Sequence, residues 1–319
     1  GSAVNLRRRV RSYFTAAERR TTIARMVDTT AGVRVIETAT EIEARVRELR
    51  LIAELSPPAN RRSKAPRRMP WIHLVSSPGP RLATTTVPSI DDALSVIGPF
   101  PSRSAAQEAI RAAESVLRLG ARDGRGPTSV TRADSPVDGR IAMRALSGDA
   151  DLVVRPVLER VEGLAARERY EEAGAWTARL RSFLRGVHRA ERARPLLVCP
   201  HLIAARRRES GGWELVAVRW GRLAGSMTTP AGADPRPAVE TLRATAQVVE
   251  RPGRIGAGTS AEETLLLADW VLDAGARLVE VGATGGSGDG ADVAESDVCA
   301  ALSWSIGAAA RYRRVMDSS

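Results

Sequence analysis

Arg9 and Tyr13 lie four residues apart, so on a helix they share one face and set a cation beside a phenol. A guanidinium grips phosphate through a bidentate fork. Glu48 is a carboxylate of the kind that holds a hard cation through oxygen. Asn60 follows, just ahead of a basic loop. Taken singly, each residue has a plainer reading. Arg9 sits among Arg7, Arg8 and Arg11, which reads as a solvated helix face. Tyr13 fits a half-buried aromatic, Glu48 an exposed carboxylate pairing Arg45 or Arg47, and Asn60 a turn residue.

The rest of the chain offers less chemistry. His201 is the only histidine after residue 194, and its expected role is to cap or pack. Cys199 and Cys299 fit neither a disulfide framework nor a zinc site, so a reduced cytoplasmic setting is expected. The glycine-rich stretch Gly282 to Gly288 lacks the Gly-Lys-Ser/Thr of a phosphate loop and reads as a loop. No apolar run approaches the roughly 18 to 20 residues of a membrane span, and no membrane contact is expected. The 319 residues carry 48 Lys+Arg against 37 Asp+Glu, a net charge of +11. Lys64 is the single lysine. An arginine excess follows from phosphate binding, and equally from a GC-rich genome.

The elements that must position these groups are legible in outline. Arg7 to Phe14 has helical character, and Thr15 with Glu18 has the spacing of a capping box for a second helix ending near Met26. Val33-Arg34-Val35-Ile36 is a strand candidate. Thr40 to Leu55 follows helical periodicity, with Ile42, Val46, Leu49 and Ala53 on one face and Pro57-Pro58 as the stop. Arg61, Arg62, Lys64, Arg67 and Arg68 make a basic loop before a strand candidate at Trp71 to Val75. Residues 76–101 look like linker. Ser104 with Gln107 predicts the start of a helix that Gly120 closes. Residues 120–137 are loop-like in composition.

From about 139 to 193 the pattern is helical. Val154, Val157, Val161 and Leu164 form one stripe; Ala173, Trp176, Leu180, Phe183 and Val187 form another. A turn near Arg167–Tyr170 would make these an antiparallel hairpin. Leu196–Ala205, Trp213–Trp220 and Leu223–Thr228 predict a three-stranded meander. Helices are then expected from Asp234-Pro235 to about Val249 and from Ser260, with Glu263 as its capping partner, to Gly275. A strand is expected at Leu278–Val281 and a final helix over Ala294–Val315. The fold class is a multi-domain α/β and α+β chain. Its expected segments are 1–75, 76–137, 138–193 and 194–319.

The order of motifs resembles the UvrC family of excinucleases. Ala3-Val4-Asn5-Leu6-Arg7-Arg8-Arg9-Val10-Arg11-Ser12-Tyr13-Phe14 is similar to the run after the YIG strand of that family's GIY-YIG nuclease domain. Thr40 to Ala44, Glu48, Pro57-Pro58, Asn60, Arg62-Ser63-Lys64 and Pro70 to Leu74 continue the likeness. Ile97 to Ser102 resembles the following connection. Leu146 to Asp149 and Glu168 to Ala173 resemble a UVR helical hairpin. The pattern best fits actinobacterial chains that fuse a DnaQ-like DEDD exonuclease ahead of a UvrC-like half, which implies an upstream exonuclease domain.

By that resemblance, residues 1–75 are the C-terminal part of a truncated GIY-YIG α/β domain. Arg9 falls on the catalytic arginine, Tyr13 on an active-site tyrosine, Glu48 on the single metal-ligating carboxylate and Asn60 on the active-site asparagine. One Mg²⁺ or Mn²⁺ is implied. DNA is the implied substrate, with Arg7, Arg8, Arg11, Arg61, Arg62, Lys64, Arg67 and Arg68 as candidate DNA contacts. Residues 138–193 are the UVR-like hairpin, whose implied partner is a UvrB-like repair protein. Residues 194–319 are a small α+β module.

Three departures qualify the likeness. The tyrosines of GIY and YIG fall upstream of Ala3, with Gly1 on the glycine ending YIG, so this chain alone is expected to nick DNA poorly. The span from Leu117 to Gly139 holds no cysteine, so no iron–sulfur cluster is expected there. The hairpin keeps Tyr170 to Ala173 but not the family's closing Arg-Asp. The reading is a DNA repair or processing nuclease. The alternative is a non-catalytic DNA- or partner-binding module that supports an upstream exonuclease.

Overall fold

The computed structural model describes residues 2–3, 5–14, 21–57, 69–77, 79–117, 138–282 and 309–317. They form two compact units, each assembled from separated stretches. The four consecutive segments expected from the sequence therefore do not match the packing. Trp71–Val75 belongs with the helices that follow it, and residues 76–117 share one core with the hairpin.

The first unit comprises residues 1–66, 199–250 and 262–286. It opens with α1 (Leu6–Tyr13), whose N-cap Asn5 side chain accepts from the Arg8 N–H at 3.0 Å. Next come α2 (Thr21–Asp28) and α3 (Glu41–Leu55). Thr40 caps α3 by accepting the Glu43 N–H at 3.2 Å, and Ser56 ends it in the left-handed region at φ 43°. The buried residues of α3 are Ile42, Val46 and Ile52; Leu49 is half-buried and Ala53 is exposed. The strand expected at Val33–Ile36 does not form. These side chains lie 49–58% exposed, and a short β-branched run becomes a strand only when another strand pairs with it.

The sheet of this unit consists of β3 (His201–Arg207), β4 (Trp213–Arg219), β5 (Arg222–Thr228) and β6 (Ala276–Gly282), in the order β5-β4-β3-β6, all antiparallel. The expected meander is present, and the expected strand near Leu278 joins its far edge. One face buries Ile203, Ala205, Leu215 and Ala217 under Val239 and Leu242 of α8 (Arg236–Thr245). The helix α9 is Ala261–Val271. The Glu263 carboxylate, expected as a capping partner at the start of α9, bonds Arg50 and the Leu223 N–H.

The second unit comprises residues 67–198, 251–261 and 287–319. The expected linker is folded. β1 (Trp71–Val75) pairs antiparallel with β2 (Arg81–Thr85), and Ile97 bridges Ile72. Then follow α4 (Arg103–Leu117), α5 (Gly139–Ser147), α6 (Asp151–Ala165) and α7 (Tyr170–Val198). The hydroxyl of Ser102, not Ser104, meets the start of α4 by accepting the Ala105 N–H at 3.1 Å. Helix α7 runs through Pro195 to Val198, so Leu196–Val198 is helix where strand was expected. A proline in the last turn ends no helix at once, and Leu196 and Leu197 are buried.

Phe100, Phe183, Leu180, Leu184, Ile72 and Ile97 form the centre of this unit's core. The Phe100 ring lies on Gly186, where any Cβ would overlap it. Arg194 is buried on α7. It donates to Val96 O at 2.9 Å and to Leu146 O. Burial, opposed by Glu191, pushes its guanidinium down to about 10, which leaves it charged at neutral pH. Of the final helix expected over 294–315, only Ala309–Tyr312 (a 3₁₀ turn) and α10 (Arg313–Asp317) are described.

Candidate active site

Helices α1 and α3 carry the expected site residues. Arg9 stacks over the Tyr13 ring with 5.3 Å from guanidinium carbon to centroid, so the four-residue spacing does place them on one face. Glu48 lies half-buried on α3. Its Oε2 accepts from the Ser2 N–H at 2.9 Å and from the Ser2 hydroxyl at 2.7 Å. Burial raises the Glu48 pKa, but the two Ser2 hydrogen bonds and nearby positive charge, Arg9 included, outweigh it. The net direction is downward, so the carboxylate is ionised at neutral pH. The structure thus gathers Arg9, Tyr13 and Glu48 in one unit and adds Ser2 as a carboxylate partner. No local pattern marks Ser2 for that role.

Arg7, Arg8 and Arg11 are exposed along α1, and α1 buries no residue. They form a solvated cationic face of the kind that binds phosphate. Asn60, Arg61, Arg62, Lys64, Arg67 and Arg68 lie outside the described residues.

A second polar cluster fixes α3 itself. The Arg50 Nε donates to Glu263 Oε2 at 3.0 Å and its Nη2 to Glu263 Oε1 at 2.7 Å. The same guanidinium donates to Leu223 O at 2.9 Å, and Glu263 Oε1 accepts the Leu223 N–H at 3.0 Å. Near the start of α3, Thr40 donates to the Ser226 hydroxyl, which donates to Glu43, each at 2.9 Å. Nothing in the sequence pairs Arg50 with a carboxylate 213 positions away.

His201 is buried at the start of β3. Its Nδ1 accepts from Arg219 Nε at 3.2 Å, and its Nε2 lies 3.3 Å from Glu280. Burial and Arg219 lower its pKa against the opposing pull of Glu280, so it is neutral and packs. The Cys199 thiol is buried and donates to His201 O. Among the described residues no three His, Cys, Asp or Glu side chains gather to hold a metal. Glu48 offers one ionised carboxylate, which feels the positive charge of Arg9.

Residues 1–61 match the UvrC-like GIY-YIG domain. That match is confined to the N-terminal segment. Over 97% of the chain it is 33% identical to a Mycobacterium tuberculosis protein named as a bifunctional exonuclease/endonuclease, covering 50% of that relative. It is 30% identical over 55% of its length to the UvrABC system protein C of Aromatoleum aromaticum, covering 32% of it. To the protein of the same name from Chlorobaculum tepidum it is 38% identical over 33% of the chain and 17% of the relative. The UvrC-like chain thus spans half the length of the first relative and a third or less of the others. No solved structure matches it. No described helix is long and apolar enough to cross a membrane.

Proposed function

We propose that this chain is the DNA-handling part of a metal-dependent DNA repair nuclease, with Arg9 on the scissile phosphate and Glu48 as the protein ligand of one Mg²⁺ or Mn²⁺. The observation that carries the reading is the Ser2-held Glu48 carboxylate, which feels the charge of Arg9, itself stacked over Tyr13. An ionised, half-buried carboxylate beside an arginine is a suitable donor for a hard cation that keeps most of its waters. Such an ion, when bound, supplies charge stabilisation on the phosphoryl oxygens.

The chain's own groups do the rest. The Ser2 N–H and hydroxyl hold the carboxylate ionised and aimed. The Arg9 fork neutralises phosphate charge as it grows. Tyr13 fixes the guanidinium plane from beneath. Arg7, Arg8 and Arg11 hold the backbone of the bound strand, and Asn60 with the basic loop extends that contact. The α6–α7 hairpin is a candidate dock for a UvrB-like partner. Tyr170 is 67% exposed at its turn, beside Glu171 and Glu172.

The test needs no turnover. Manganese is titrated into the chain with labelled duplex DNA and affinity is read by anisotropy. Mn²⁺ should tighten binding in the wild type, and Glu48→Gln should abolish that gain while keeping basal binding. Arg9→Ala should weaken both. A Mn²⁺ response unchanged in Glu48→Gln overturns the assignment. A chain that binds DNA with no metal response favours the non-catalytic module.

A further inference from the structure

A pocket of about 320 Å³ opens over the face of β3, β4 and β6 beside α8, away from the residues of the proposed metal site. Ala205 pairs with Leu215 on one side and with Arg277 on the other, which puts these three on one face. Trp213 pairs with Arg207, two residues along β3 from Ala205, and so shares that face. The indole, Leu215 and Val239 form an apolar slot. Arg236 and Arg277 line it, Arg207 lies on the same sheet face two residues beyond Ala205, and these three are exposed with no ion pair among the described residues. Arg243 is held by Glu280 at 2.8 Å. The lining carboxylate, Glu240, lies within a turn of Arg236 and Arg243 on α8, so cations flank it.

An apolar slot with an aromatic wall takes a flat ring, and arginines at its mouth take anions. Those two demands meet in a nucleotide. The volume lies at the low end of the roughly 300–1,000 Å³ typical of small-molecule sites, enough for one base rather than a helix. A base stacked in a duplex cannot reach such a slot. We propose that this pocket holds an unstacked base of single-stranded nucleic acid, with Arg207, Arg236 and Arg277 on the flanking phosphates. The ring lies against Trp213, and the backbone crosses the mouth. Stacking tolerates any base, so the pocket grips strands without reading sequence.

The inference does not rest on Glu48, and its test is run in chelator so that the two readings fail separately. The full chain is titrated with a labelled oligo(dT) of about 10 nucleotides, a length within the usual single-strand site size, and with a duplex of equal length. Trp213→Leu keeps an apolar side chain and removes the stack, and should weaken oligo(dT) binding about tenfold. Arg236→Ala with Arg277→Ala changes only exposed side chains. It should weaken the single strand to a similar degree and flatten its salt dependence. Duplex binding should stay within about twofold in every variant. Equal losses for duplex and single strand would reduce the pocket to part of a general basic face. Unchanged oligo(dT) binding in both variants overturns the proposal. So does concentration-dependent self-association that Val279→Lys abolishes, since the slot would then seat a second copy.

Discussion

The Arg50–Glu263 pair sets how firmly the helix bearing Glu48 is held. The Glu263 side chain is 2% exposed and the Arg50 side chain 35%. Arg50→Ala removes the fork that neutralises a buried carboxylate. Breaking a buried pair costs about 3–5 kcal/mol, and the partial exposure of Arg50 places this case near about 3 kcal/mol. Glu263→Gln keeps an acceptor for the Leu223 N–H and loses the charge, which costs about 1–2 kcal/mol. At about 1.4 kcal/mol per factor of ten, these are roughly 100-fold and 10-fold in the equilibrium that frees α3. Amide hydrogen exchange reads that equilibrium segment by segment, which a global melt of two units does not. Protection in residues 41–55 and 222–228 should fall by those factors, Arg50→Ala more than Glu263→Gln, while α4 to α7 keep theirs. Unchanged protection of α3, or a loss shared equally with α4 to α7, would refute the reasoning.

Gly186→Ala should destabilise the second unit by about 1–3 kcal/mol or more, because a Cβ there overlaps the fully buried Phe100 ring; urea melts of that unit check it. Burial and Arg219 hold His201 below its ordinary value of 6.5, so the unfolded chain binds the proton more readily. Stability of the first unit should therefore fall as pH drops below about 6.5, and His201→Gln should flatten that slope. Glu48 has its pKa lowered, so the Ser2 contact should persist through neutral pH and fade on acidification below the ordinary carboxylate range. Carboxyl chemical shifts against pH follow it directly.

Local chemistry made much of this chain legible. The periodicity of Thr40–Leu55 reads as a helix, and the alternation of Trp213–Thr228 with its glycine turns reads as a meander, because both follow from the repeat of the backbone itself. The Arg9–Tyr13 spacing shared a face for the same reason. The family resemblance, carried by ordered residues over the first segment, named Glu48 where composition could not. Tertiary packing decided the rest. Val33–Ile36 has strand-like residues and no partner strand, so it stays unpaired. Residues 76–101 look like linker until Ile97 and Phe100 are seen buried against α7. Glu263 has the spacing of a cap, and nothing in that spacing announces that its carboxylate also reaches Arg50 and Leu223. Sequence determines which groups are near along the chain; a buried charge takes whichever partner the fold brings to it, and that partner lay on α3.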